Sequence, residues 1–153
     1  MSILDTLRVR PWRAEDITLL AEVEQRAYPY PWPEGVMHDC HAAGQLGWVA
    51  WDRGDVVAYA VVLPVLDEAH LLNLCTSPDW QGQGVGRGML RRVMSACAGQ
   101  GMARMLLEVR ASNLPAIGLY RSEGFAEDGV RKGYYPASGG REDAILMSRP
   151  LAG

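Results

Sequence analysis

The chain has 153 residues, 48% of them hydrophobic and 22% charged, with a formal net charge of −3. That length reads as one domain over 1–153, able to bury roughly 70% of its unfolded surface, and the composition is globular rather than disordered. The weak acidic balance argues against a broad nucleic-acid or anionic-membrane surface, and no apolar run approaches the roughly 20 residues that span a bilayer.

TLRVRPW (6–12) alternates like a short strand, and AEDITLLAEVEQRAY (14–28) places Ile17, Leu20, Ala21 and Ala27 on one helical face. PYPWPEG (29–35) is a proline-broken loop, followed by a short helix over 34–43. GWVAWDRGDVVAYAVVLPV reads as strand, turn at Arg53-Gly54-Asp55, strand. EAHLLNLCTS (68–77) is so apolar in its centre that burial on both faces is expected. A helix over 85–99 carries Val85, Met89, Val93, Met94 and Cys97 on one face, and ARMLLEVR (103–110) is a second buried strand. SNLPAIGLYRSEG (112–124) is a helix capped by Ser112 or Asn113. Strands at 125–134 and 142–149, joined by the loop YPASGG, close the chain. A βαβα unit in the middle of this order requires part of the sheet to be parallel.

Before the 85–99 helix stands QGQGVGRG, four glycines in eight residues. Strand, glycine-rich turn and helix start is an arrangement that holds phosphates, because the first N–H groups of a helix lack partners and carry the positive end of the dipole. A Walker loop fails, since Gly86 is followed by Arg87-Gly88 rather than Lys-Ser/Thr. A dinucleotide fingerprint has the wrong phase and no acidic residue at the right distance. The plain alternative is a flexible turn.

Gln81-x-x-Gly84-x-Gly86 resembles the pyrophosphate motif of the GCN5-related N-acetyltransferase (GNAT) superfamily. VRPWRAEDI, the hairpin, LLEVRASN and PAIGLYRSEGF follow the same family's order over nearly the whole chain. The resemblance implies an α/β fold with a central mixed sheet of about seven strands, two parallel strands splayed apart, and about four helices. It implies acetyl-CoA as cosubstrate, its pantetheine pairing with the main chain of Leu74, Cys75 and Thr76. Its pyrophosphate would rest on Gly82, Gln83, Gly84, Val85, Gly86 and Arg87. Gly82 stands where the family more often has a basic residue.

EVRASN, AIGLYRSEGF, GYYP and GREDAILM are similar to the RimI-type ribosomal-protein-alanine N-acetyltransferases in particular. That subgroup implies Glu108 as general base, Tyr120 as general acid and Asn113 as a contact to CoA. From the residues alone Glu108, in an apolar strand, is equally a structural partner of Arg110 or another cation. If it were buried, its pKa would rise and suit it to base work. By position alone Tyr120 reads as a core aromatic and Asn113 as a plain helix cap. The implied acceptor is the N-terminal alanine of a small-subunit ribosomal protein, the one numbered eighteen. YPYPWP (28–33) and GYYPASGGRED (133–143), with Tyr134, are candidate walls of its pocket, and Glu24 a candidate partner for a basic residue downstream in the peptide. A lysine or small-amine acetyltransferase, or a CoA-binding sensor without catalysis, are the competing readings.

Cys40, Cys75 and Cys97 fit no zinc or disulfide spacing and, with no cleavable signal in MSILDTLRVRPW, point to a cytoplasmic protein with reduced thiols. Cys75 has no histidine placed to activate it, which favours direct transfer. His38-Asp39-Cys40-His41 has no second ligand pair, so no metal is expected. Neither nucleic acid nor membrane is expected as a direct partner.

Overall fold

The computed structural model describes residues 7–151. Thr6, the first half of the segment read for a signal, and the outermost residues of the 1–153 span lie outside that range. The elements run β1 (Arg8–Pro11), α1 (Ile17–Ala27, entered through a 3-10 turn at Ala14–Asp16), α2 (Glu34–Ala42), β2 (Leu46–Asp52), β3 (Asp55–Val65) and β4 (Glu68–Thr76). They continue as α3 (Val85–Gly99), β5 (Arg104–Arg110), α4 (Leu114–Ser122), β6 (Ala126–Ala137) and β7 (Gly140–Pro150). The strands form one mixed sheet in the order β1-β2-β3-β4-β5-β7-β6, in which β4 and β5 are parallel neighbours. The element order is the one the sequence predicts. The expected loop YPASGG is shorter than read, because Tyr135↔Glu142, Pro136↔Arg141 and Ala137↔Gly140 continue the β6–β7 ladder and leave a two-residue turn.

Alternation along the strands sends side chains to two cores. On one face Ile17, Leu20 and Met37 from α1 and α2 pack with Val49, Tyr59, Val61 and Cys75. On the other, Val85, Met89, Leu90 and Val93 of α3 and Ile117 and Tyr120 of α4 pack with Ala58, Ala60, Leu71, Met105, Leu107 and Val109. Complete burial of a side chain such as Ile17 or Leu90 contributes roughly 1.5–3 kcal/mol before entropy is counted.

β4 departs from its expected two-sided burial. Ala69, Leu71, Asn73 and Cys75 are buried, but Leu72 is 37% exposed. The β4–β5 ladder pairs Glu68–Leu71 with Arg104–Leu107 and stops there, although both strands continue. At the same point Val61 faces Asn73 and Val62 faces Leu71, so Leu72 is an extra residue in β4. Such a bulge bends and twists its strand, turning β4 away from β5. Its apolar centre therefore borders an opening.

Glu123, at the end of α4, ties that helix to α3. Its buried carboxylate accepts hydrogen bonds from Arg87 Nη1 (2.6 Å) and from Arg91 Nε (2.7 Å) and Nη2 (3.0 Å). The Arg91 hydrogen bond, opposed by burial and reinforced by Arg87, holds Glu123 below the usual carboxylate range. A depressed folded pKa stabilises the fold above the unfolded carboxylate range, near pH 4.3, and that contribution disappears as pH falls through the lower folded value. Glu123→Gln is expected to cost about 1–3 kcal/mol at neutral pH. Thermal unfolding from neutral pH into acid checks this: the gap between wild type and variant should close toward acid, and a constant gap would refute the ion pairs as its cause.

Candidate active site

Where β4 and β5 part, a cleft of about 890 Å³ opens between them. Leu71, Leu72, Asn73 and Leu74 form one side and Leu107, Glu108, Val109 and Arg110 the other. Asn113, Ala116, Leu119 and Tyr120 close one wall, Tyr28–Trp32 of the α1–α2 loop the opposite one, and Tyr135 and Pro136 of β6 the far end.

The free edge of β4 shows its orientation through two side-chain contacts. Tyr28 donates its hydroxyl to the Leu74 carbonyl (2.5 Å), and Gln81 Nε2 donates to the Thr76 carbonyl (3.3 Å). Alternate carbonyls thus face away from β3, and the peptide groups of Cys75 face β3, opposite Tyr59. Of the three residues expected to pair with pantetheine through their main chain, Leu74 and Thr76 have the required orientation and Cys75 does not. The Cys75 thiol is fully buried; burial, and then the charge of Glu24, push its pKa up to about 12. It stays protonated and is no nucleophile.

Beyond the end of β4 the glycine segment starts α3. Gly84 is its N-cap at φ 81°, a left-handed conformation that glycine adopts without steric cost. The helical ladder begins with the Gly88 N–H on the Gly84 carbonyl (3.0 Å), so the N–H groups of Val85, Gly86 and Arg87 have no helical acceptor. A Cβ at Gly86 would stand 3.5 Å from Thr76 Oγ1, which places this turn against the end of β4. The donor set, together with Gly82 and Gln83 before it, fits a diphosphate continuing out of the cleft. Arg87 offers its main chain only, because its guanidinium is held by Glu123 and by Ser122 Oγ (2.8 Å). None of residues 82–87 lines the cleft itself.

Glu108 is the first residue of β5 past the last β4–β5 pair, Leu71↔Leu107. Leu107 and Val109 point into the α3–α4 core, so Glu108 points to the opposite face, into the cleft. It is not buried as expected: its side chain is 30% exposed and pairs with Arg131 Nη2 (3.3 Å). Arg110, the partner weighed from sequence, binds Glu142 instead (2.9 Å). Tyr120 reaches the cleft from the α3–α4 side, 9% exposed, with its ring edge-on to Phe125 at 5.5 Å. Burial, with a smaller effect from Tyr135, pushes its pKa up to about 12, so its hydroxyl carries a proton at neutral pH. Glu108 and Tyr120 therefore approach one cleft from opposite faces of the sheet.

Asn113 is the α4 cap, its Oδ1 accepting from the Ala116 N–H (3.3 Å), and it also lines the cleft. Tyr134 is not among the lining residues, yet it stands by Glu108, whose charge is the main reason its phenol lies above the ordinary value. A bulge puts it there: Lys132, Gly133 and Tyr134 oppose only Asp143, between the pairs Arg131↔Ala144 and Tyr135↔Glu142. Glu24 has partners other than the expected peptide side chain. It is 2% exposed, and its carboxylate accepts from Tyr59 Oη, Asn73 Nδ2 (2.9 Å) and the Trp32 N–H (2.9 Å). Three protein donors occupy it, so it anchors the α1–α2 loop rather than greeting a distant cation.

Tyr59, Asn73 and Arg131 stand in no motif read above, while Tyr28 lies in YPYPWP and Arg110 in EVRASN; the roles of all five arise from contacts between distant segments. Alternation does mark Arg110, two residues beyond Glu108, as sharing its face. His38 hydrogen-bonds Glu34 (3.2 Å) and His41 packs edge-on to Trp12 (5.2 Å), so the two histidines diverge. Among the described residues no three metal-ligating side chains gather, and no helix is long and apolar enough to cross a membrane.

Parallel strands that part beside a glycine-rich helix start thus leave a cleft with a carboxylate and a phenol on opposite sides of the gap, and N–H groups without helical acceptors beside the end of β4. The chain belongs to the Acetyltransferase (GNAT) family, whose sequence profile matches residues 17–125, and is an acetyl-CoA-dependent N-acetyltransferase. It is 41% identical over 137 residues, covering 90% of this chain and 93% of the other, to the [ribosomal protein bS18]-alanine N-acetyltransferase of Escherichia coli strain K12. The crystal structure of the ribosomal-protein-S18-alanine N-acetyltransferase from Escherichia coli superposes with a TM-score of 0.91 at 38% identity, covering 97% and 96% of the two chains. A phosphinothricin acetyltransferase from Sinorhizobium meliloti, in complex with AcCoA, shares the fold at a TM-score of 0.80 and 24% identity, covering 96% and 89%.

Proposed function

We propose that this protein acetylates the N-terminal alanine of ribosomal protein bS18, in the cytoplasm, by direct transfer from acetyl-CoA. The observation that carries the chemistry is the placement of Glu108 and Tyr120 on opposite sides of the cleft where β4 and β5 part. The acceptor is supported by the activity of the relatives, which match along most of their length.

Acetyl-CoA supplies the activated acyl group as a thioester. Glu108 takes a proton from the acceptor ammonium, directly or through a water, freeing the nitrogen lone pair for attack on the acyl carbon. As the carbon–sulfur bond breaks, Tyr120 delivers its proton to the departing sulfur. The attacking nitrogen, still carrying one proton too many, gives it up through solvent water, Tyr120 regains its proton from the same solvent, and the proton held by Glu108 is released. Leu74 and Thr76 offer main-chain groups to the pantetheine arm, residues 82–87 their N–H groups to the diphosphate, and Asn113 its amide to the same ligand. A small first side chain suits the space between the α1–α2 loop and β6, with Tyr134 beside the base.

Thiol release from acetyl-CoA with two short basic peptides tests the acceptor. One has a free N-terminal alanine and no lysine; the other has a blocked N-terminus and one lysine. Turnover of the alanine peptide alone is expected. Turnover of the lysine peptide alone would overturn the acceptor while leaving an acetyltransferase.

A further inference from the structure

Arg110 is the residue in which the two acceptor walls meet. Its guanidinium carbon lies 4.3 Å from the ring centroid of Tyr30, in the α1–α2 loop, and 4.5 Å from that of Tyr135, in β6. Its Nη1 donates to the Pro136 carbonyl (2.7 Å) and to Glu142 Oε1 (2.9 Å), and the other Glu142 oxygen accepts from the Ser112 N–H (3.2 Å). The side chain is only 21% exposed. An exposed ion pair alone would hold little. A planar cation over an aromatic ring on each wall adds attraction that an ammonium reproduces poorly. Tyr30 needs such a hold, because Pro29 and Pro31 on either side of it have no N–H to donate.

We propose that Arg110 is a specificity-determining clasp: by joining Tyr30 to Tyr135 and Glu142 it narrows the acceptor end of the cleft to an opening that admits a chain terminus with a small first side chain. This rests on the acceptor reading above. Without the clasp the loop and the hairpin move independently, the opening widens, and both grip on the peptide and discrimination against larger first residues fall.

The test uses Arg110→Met, which keeps length but loses charge and plane, and Arg110→Lys, which keeps charge alone. Amide hydrogen exchange, which needs no acceptor, should rise together at Tyr30–Trp32 and Tyr134–Ala137 in Arg110→Met, with β2 and β3 unchanged. KM for the alanine-led peptide should rise about 10-fold, and preference over a leucine-led peptide fall about 10-fold, while KM for acetyl-CoA stays within about 2-fold. Arg110→Lys should recover less than half of the lost preference on a logarithmic scale. Unchanged exchange in both segments, an unchanged preference, or full recovery by lysine would overturn the clasp. A wild-type enzyme that ignores both N-terminal peptides overturns the acceptor reading, whereas joint loosening of the two segments supports the clasp under either acceptor.

Discussion

Glu108→Gln is expected to lower kcat by about 10²–10⁴-fold, the usual range for a positioned general base, with acetyl-CoA binding unchanged. The substitution keeps size and cleft position and removes only the proton-accepting charge. Its structural cost is small, because the Arg131 pair it breaks is half exposed and such pairs contribute about 0–1 kcal/mol. A loss of three orders of magnitude in kcat therefore cannot come from unfolding if the Tm stays within a few degrees. Calorimetric titration with acetyl-CoA beside steady-state kinetics makes the distinction. Equal loss of cofactor affinity and turnover would show that Glu108 shapes the cleft, and undiminished turnover would remove it from the chemistry.

Tyr120→Phe should lower kcat by about 10²-fold, at the low end of the same range, because a thiolate leaves tolerably well without help. The ring stays edge-on to Phe125, and among the described residues the hydroxyl has no hydrogen-bond partner to lose, so stability should hold. An acyl donor whose leaving thiol is more acidic separates the acid from a packing role. Such a sulfur needs no proton, so the deficit of Tyr120→Phe should shrink toward unity with it. A deficit of the same size with both donors would mean that the hydroxyl positions the substrate instead.

Much of this site was legible because it is written locally. Gln81-x-x-Gly84-x-Gly86 needs only its own backbone to make a helix start with free N–H groups, and Glu108 stands out as a carboxylate inside MLLEVR. The edges of the elements were also close, since turns such as Arg53-Gly54 have local causes. What the sequence concealed depends on partners far along the chain. The apolar centre of β4 looked buried on both sides, since nothing within it shows that β5 departs after Leu107. The hold of the Arg87 guanidinium on Glu123, 36 residues away, had no trace in the glycine segment itself. Glu24 read as a candidate partner for a basic residue of the peptide, and its carboxylate is instead buried under Tyr59, Asn73 and the Trp32 amide. The β6 bulge that brings Tyr134 to Glu108 leaves only Gly133 as a local trace. Helix starts and strand periods are short-range properties, whereas the choice of ion-pair partner is a property of the folded surface.

The central claim is transfer of one acetyl group to the α-nitrogen of a chain-terminal alanine. Its most direct test is incubation of the proposed ribosomal-protein acceptor, N-terminus free, with acetyl-CoA and this enzyme, followed by tandem mass spectrometry of the product. The account predicts one acetyl group, on the first residue, formed by the wild type and nearly absent with Glu108→Gln. Acetylated lysines beside an unmodified first residue would contradict it.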